Sequence, residues 1–255
     1  MSIIAKPIPT ENPSGALIGY NNLLVTATND DGSKALIPNT WEKWFGTVGG
    51  TTMKFQLASS SDIDFVGIAS HNLSSGAFKI TVSTAVTVGG ALTIVDEINP
   101  LDNSPIMLTF DTRTVEEVVV VLSTSSAQIG VVYAGKALQM QRDIYGGHSP
   151  ITLSAQTKYQ SNISDTGQFL GRNIVSQGSE ANFSWRLLDP DWYRENFQPF
   201  VVSARTKPFF MLWRPDMYAS EIAFGQTTSD IKPTNMGGGH GRMSVSFNMS
   251  AHNDL

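Results

Sequence analysis

Four histidines, at positions 71, 148, 240 and 252, are the side chains best suited to carry protons near neutral pH. None of them stands in a motif that would activate a nucleophile. Cysteine is absent, which excludes thiolate nucleophiles, thiolate metal sites and disulfides. Asp62 and Asp64 lie two apart on a predicted strand and so share a face. Paired carboxylates at a suitable separation can cleave glycosides, but this pair fits a turn and a strand edge better. These side chains point to a chain that is not an enzyme and has no catalytic residue, cofactor or metal.

Other spacings suggest binding rather than catalysis. Trp41 and Trp44 are three apart. They could form a sugar-stacking platform, although such tryptophans more often close the end of a core. His71 directly follows the strand Ile63–Ala69. It could act as a base, or join Asn72 in holding a loop by side-chain to backbone bonds. Trp41, Trp44 and His71 are therefore the candidate glycan contacts. Gly167 and Gly171 have the spacing of a phosphate cradle, but no Lys-Ser/Thr pair follows and no helix begins. Gly237-Gly238-Gly239-His240-Gly241 looks like a nucleotide loop. The alternating residues Met243, Val245, Phe247 and Met249 follow it, so it precedes a strand and offers no helix N-terminus. It reads as a hairpin loop, or as an interface loop that orders on assembly.

The elements that must position these residues are mostly strands. Met53, Phe55 and Leu57 alternate with polar residues, as do Phe78, Ile80 and Val82, and Ile129, Val131 and Tyr133. Val118 to Leu122 is a continuous run expected to be buried on both faces. Leu23 to Thr28 is the first strand, ended by the turn Asn29-Asp30-Asp31-Gly32-Ser33. Turns recur roughly every 8–12 residues, the spacing of a sandwich or barrel. Residues 151–161 could be a further strand, and Ala181, Phe183, Trp185 and Leu187 share one face of another. Asp189-Pro190 is a strong helix start, and Pro199 is expected to break the helical stretch into two short helices. Phe209 to Trp213, bracketed by Pro208 and Pro215, reads as a buried strand. Arg205 and Arg214 stand near its ends and would need partners if buried, which a subunit boundary could supply.

The chain of 255 residues is long enough for two β-rich domains. The expected division is an N-terminal arm over 1–22, a β-sandwich over 23–135 and a second domain over 136–255. The arm, with its extended Pro7-Ile8-Pro9, either packs on its own domain or crosses to a neighbour. The fold class is mainly β: a jelly-roll β-sandwich, then a β-rich α+β domain with one or two short helices. Charged residues make up only 15% and the formal net charge is −5, which argues against sequence-specific nucleic-acid binding through a basic surface. No apolar signal-peptide core opens the chain, and no run approaches the roughly 18 apolar residues of a membrane span. Synthesis in the cytosol without secretion by a cleaved signal is the expectation.

Two sets of residues carry a family resemblance. Trp41, Trp44, the phrase Ile63-Asp64-Phe65-Val66-Gly67-Ile68-Ala69-Ser70-His71-Asn72-Leu73, the strand Val118–Leu122 and Ile129–Gly135 resemble the galactose-binding-like (discoidin-type) jelly roll of bacteriophage tail proteins. Ser164–Arg172, Asp191-Trp192, Ala204–Pro215 and Met243–Met249 resemble the C-terminal part of the same proteins in long-tailed phages. The resemblance implies an eight-stranded sandwich of two packed sheets. It further implies a structural virion component of the distal tail, tail tip or baseplate, assembled in the host cytoplasm. Such a protein would form a symmetric ring, a trimer or hexamer, and join tube, hub and fibre proteins. The candidate subunit contacts are the arm, the 143–150 loop, Arg205, Arg214, Gly237, Gly238, Gly239 and His240. The alternative is a carbohydrate-binding module that contacts a host surface glycan.

Overall fold

The computed structural model describes residues 15–27, 32–46, 51–74, 79–123, 126–237 and 241–251. Residues 1–14, Asn29 to Asp31, Phe78, Gly238, Gly239, His240 and His252 therefore lie outside the described residues, together with the sequence expectations that fall on them. All described strand pairs are antiparallel.

Strand β1 (Leu17–Gly19) lies inside the segment expected to be an arm. It is fully buried and belongs to the C-terminal sheet. The strands β2 (Leu24–Ala27), β3 (Trp44–Phe45), β4 (Thr52–His71), β5 (Ile80–Ala85), β6 (Thr93–Ile98), β7 (Ile106–Leu122) and β8 (Gln128–Gly135) build the N-terminal sandwich. Its organising pair is β4 with β7. The two run together from Thr52 opposite Val121 to Ile68 opposite Ile106. Register shifts after Gln56 and after Ile63 break the ladder into three stretches, and such irregularities bend strands. The first stretch pairs onward with β2 and β5, the last with β8. A shared core, including Phe55, Val66, Ile68, Val82, Val118, Val120 and Val132, lies between them. Val118, Val119 and Val120 are all buried, as the unbroken β-branched run predicts.

The second sheet adds β9 (Leu138–Gln139), β10 (Ala155–Ile163), β11 (Phe169–Leu188), β12 (Phe209–Leu212), β13 (Ile222–Thr227), β14 (Lys232–Asn235) and β15 (Met243–Ala251). Its order is β10-β11-β15-β13-β12-β1-β9, with β14 pairing to β15. One helical segment covers it: α1 (Pro190–Trp192), a π-helical turn (Tyr193–Phe197) and α2 (Gln198–Ala204). Asp189 caps its start, accepting from the N–H groups of Asp191 at 3.0 Å and Trp192 at 3.3 Å. Pro199 does not split the segment in two. A widened turn precedes it, which accommodates a proline that lacks an N–H and crowds the previous turn. Leu187 also departs from the alternation expected of β11. A bulge after Trp185 turns it outward with φ at 61°, and Leu188 takes the buried position instead.

Strand β12 serves two cores. Phe209 and Met211 face a cluster with Phe183, Trp185, Phe197, Phe200 and Phe247. Phe210 and Leu212 face the other way, against Phe65, Met107, Val131 and Tyr133 of the sandwich. The two sheets thus meet through a dry, aromatic junction. Phe210 packs edgewise on Tyr133 at 5.6 Å and tilted on Phe224 at 4.7 Å. Gly67 makes the approach possible, because a Cβ there would stand 2.6 Å from the Phe210 ring. We expect Phe210→Ala to cost about 3–5 kcal/mol in chemical denaturation. Gly67→Ala should cost about 1–3 kcal/mol alone and distinctly less beside Phe210→Ala. Equal costs in both backgrounds would refute a dependence of the junction on this contact.

Candidate functional site

The three candidate glycan residues do not form one surface. Trp41 is 89% exposed, and its N–H donates to Asn39 Oδ1 at 2.9 Å. Trp44 is buried in β3 opposite Ile129 of β8. His71 is buried on the other side of β8, at the end of β4. Its Nδ1 accepts the Leu73 N–H at 3.3 Å and its Nε2 lies 2.9 Å from the Ser104 carbonyl. This pattern describes a neutral ring protonated on Nε2, with both nitrogens engaged in loop contacts. Asn72 works the same way: its Oδ1 accepts from Gln128 N–H at 2.7 Å and its Nδ2 donates to Ser126 O at 3.0 Å. The His-Asn-Leu phrase is a loop clamp, and Trp44 closes the core end.

The carboxylates diverge as well. Asp62 is exposed and accepts from the Thr114 hydroxyl at 2.6 Å. Asp64 is buried, and its Oδ1 accepts from the Ala137 N–H at 2.7 Å, tying the link between β8 and β9 to the sandwich. Burial pushes the Asp64 carboxyl up to about 6. The Ala137 bond and the nearby Lys136 charge oppose the rise without cancelling it. Buried Glu117 instead accepts from the Gly89 N–H at 2.6 Å, holding a turn. Among the described residues no three His, Cys, Asp or Glu side chains gather in a way that could hold a metal. The His148 ring packs against Trp213 at 5.2 Å and Phe183 at 6.0 Å, as part of an aromatic wall.

Arg214 is not buried in need of a distant partner. Its Nε donates to Asp216 Oδ1 at 3.0 Å within its own turn. Arg205 is exposed after α2. β14 and β15 pair with each other, Gly237 and Gly241 stand between them, and Gly238, Gly239 and His240 lie outside the described residues. The Gly167–Gly171 motif lies at the turn between β10 and β11. There the Gln168 N–H donates to Ser164 Oγ at 3.0 Å.

What the fold does assemble is surface. Among the described residues the β10–β11 hairpin extends past the rest of its sheet, and the outer part of β11 pairs with no second strand before Ser179. It exposes Ile163, Phe169, Leu170, Ile174 and Val175, with Phe169 at 68% and Leu170 at 67%. The signal was present in the sequence as two adjacent apolar pairs, Phe169-Leu170 and Ile174-Val175. Neighbours on a strand point to opposite faces, so neither face of this segment is made purely for a core. The second surface is a cleft of about 1030 Å³ between the Pro38–Thr40 loop of the sandwich and strands β10, β11, β13 and β15. Its lining comes from six separated segments, so no sequence pattern announces it.

No family profile matches the chain, and no curated protein matches it. Among solved structures, the chain is similar to chitosan-binding module 1 of a chitosanase/glucanase from Paenibacillus sp. IK-5. That likeness is 19% identical, covers 45% of this chain and 98% of the other, and has a TM-score of 0.38. It is also similar to the family 32 carbohydrate-binding module of NanJ from C. perfringens, solved with galactose, at 17% identity over 43% of this chain and 90% of the other, TM-score 0.36. A third is the CBM32 of AlyQ, in complex with 4,5-unsaturated mannuronic acid, at 19% identity over 46% and 96%, TM-score 0.36. Likeness at this level leaves the ligand of the present chain open.

The Asp64 environment has a measurable consequence. With its pKa raised, its contribution to stability is complete below the ordinary carboxylate value near 4 and is lost as pH rises through about 6. Asp64→Asn keeps an acceptor for Ala137 and removes the charge. Its stability relative to wild type should be small at pH 3.5 and grow to about 2–3 kcal/mol in favour of the variant at pH 7.5. Denaturant titrations at the two pH values measure this. A constant difference would refute it.

Proposed function

We propose that this chain is a non-enzymatic assembly subunit of a bacteriophage tail, forming part of a ring at the distal tail, tail tip or baseplate. The observation that carries the reading is the β10–β11 hairpin, with exposed apolar side chains on both faces. Large exposed apolar groups gathered on one element mark interaction surfaces. A projecting hairpin suits a heterologous contact, in which one surface of a subunit meets a different surface of the next and the repeat closes into a ring. Low charge content fits a protein that buries much of its surface between subunits. The ring would be a trimer or hexamer and would join tube, hub and fibre proteins in the virion.

A second reading is a carbohydrate-binding module that contacts the host surface. The β-sandwich architecture and the exposed Trp41 side chain favour it. The two roles are compatible on one chain, since the hairpin belongs to the C-terminal sheet and Trp41 to the loop before β3 of the sandwich.

The assembly reading is tested with Phe169→Asp and Leu170→Asp, both on exposed side chains. We expect each variant to keep the wild-type melting temperature within the small change typical of surface sites. Each should shift the protein from a closed oligomer to monomer in light scattering, and be missing from purified particles by electron microscopy. A wild-type chain that stays monomeric and is absent from virions would overturn the reading.

A further inference from the structure

We propose that the cleft between the Pro38–Thr40 loop and the C-terminal sheet is a binding site for a neutral oligosaccharide. The proposal rests on the carbohydrate-binding reading but puts the sugar away from Trp41, Trp44 and His71. The cleft of about 1030 Å³ is at the upper end of the 300–1,000 Å³ usual for small-molecule sites, and it lies where two structural units meet, a common place for them.

Its chemistry narrows the ligand. Asn39, Gln156 and Gln226 line it with amides and Ser176 and Ser250 with hydroxyls, the four strand residues sharing one sheet face by register. Amides and hydroxyls both donate and accept, and so match ligand hydroxyls, which do the same. Lys158 is the one charged side chain in the lining and there is no carboxylate, so neither a cationic nor a strongly anionic ligand is favoured. Pro208 adds an apolar edge to the lining, with the buried Phe224 beneath it.

The experiment uses the full chain with neutral hexasaccharides of glucose, N-acetylglucosamine, galactose and mannose as probes, and oligogalacturonate as the charged arm. Binding is measured by calorimetry, and melting curves check folding. We expect at least one neutral hexasaccharide to bind. Its affinity should fall at least tenfold in Gln156→Ala/Gln226→Ala and in Gln226→Glu, a change at an exposed side chain, and stay unchanged in Trp41→Ala. Binding that is lost in Trp41→Ala but kept in the cleft variants would overturn this site while leaving the carbohydrate reading intact. Binding of oligogalacturonate alone would overturn the neutral class. No binding of any probe would overturn both the site and the carbohydrate reading, leaving the assembly role untouched.

Discussion

The seating of Phe210 on Gly67 is the contact on which the rest of the structure depends. Strand β12 is four residues long, and all four are buried. Because its side chains alternate, it faces one core with Phe209 and Met211 and the opposite one with Phe210 and Leu212. The sandwich has to come within ring-contact distance of β12, and a backbone without a Cβ allows it. A similar arrangement recurs at Gly19, where a Cβ would stand 2.7 Å from the Phe65 ring. Tyr133 spans the junction, its hydroxyl donating to Pro208 O at 3.3 Å, and burial raises its pKa well above the ordinary phenol value. Close packing of this kind resists small volume changes, so the two sheets behave as parts of one interior.

That junction explains why the residues with chemical potential are engaged in holding structure. His71 and Asn72 spend their polar atoms on loops at one end of the sandwich. Asp64 fastens the first segment after β8, which leads directly into β9 beside β1. A buried carboxylate held only partly by backbone donors is a costly fastening, and it sits where the chain passes from one sheet to the other. The aromatic wall of Trp213, Tyr218 and His148 closes the far side, with the Trp213 N–H donating to Glu221 at 2.6 Å.

Function is left to the parts that the cores do not consume. The β10–β11 hairpin is a two-stranded extension whose outer residues have no layer above or below, and its apolar side chains remain in solvent. Arg172 lies over the Tyr159 ring at 3.7 Å, which stiffens the hairpin without covering it. The cleft beside its base is polar where the hairpin is apolar. Two surfaces of such different character suit two different kinds of partner, one protein and one ligand.

Much of the architecture is legible in local pattern. Alternation located the strands around Met53, Ile80, Ile129 and Met243, the β-branched run placed the buried Val118–Val120, and Asp189-Pro190 marked the helix start. These succeed because period-two burial and capping depend on neighbours in sequence. Local pattern fails where geometry is set from a distance. Leu187 and Leu188 exchange roles because β15 shifts register against β11. The segment read as an arm contributes β1 because β12 and β9, more than 100 residues away, leave a place for it. Trp41 and Trp44, equivalent in type, are separated into solvent and core by β8. The sequence by itself determined that the chain is β-rich, cysteine-free and without a spaced catalytic set, since residue types and short spacings are enough for that. Only the tertiary structure decided which polar residues are consumed in clamps, which apolar ones stay uncovered, and where six distant segments enclose a cleft, because burial is a property of the whole packed chain.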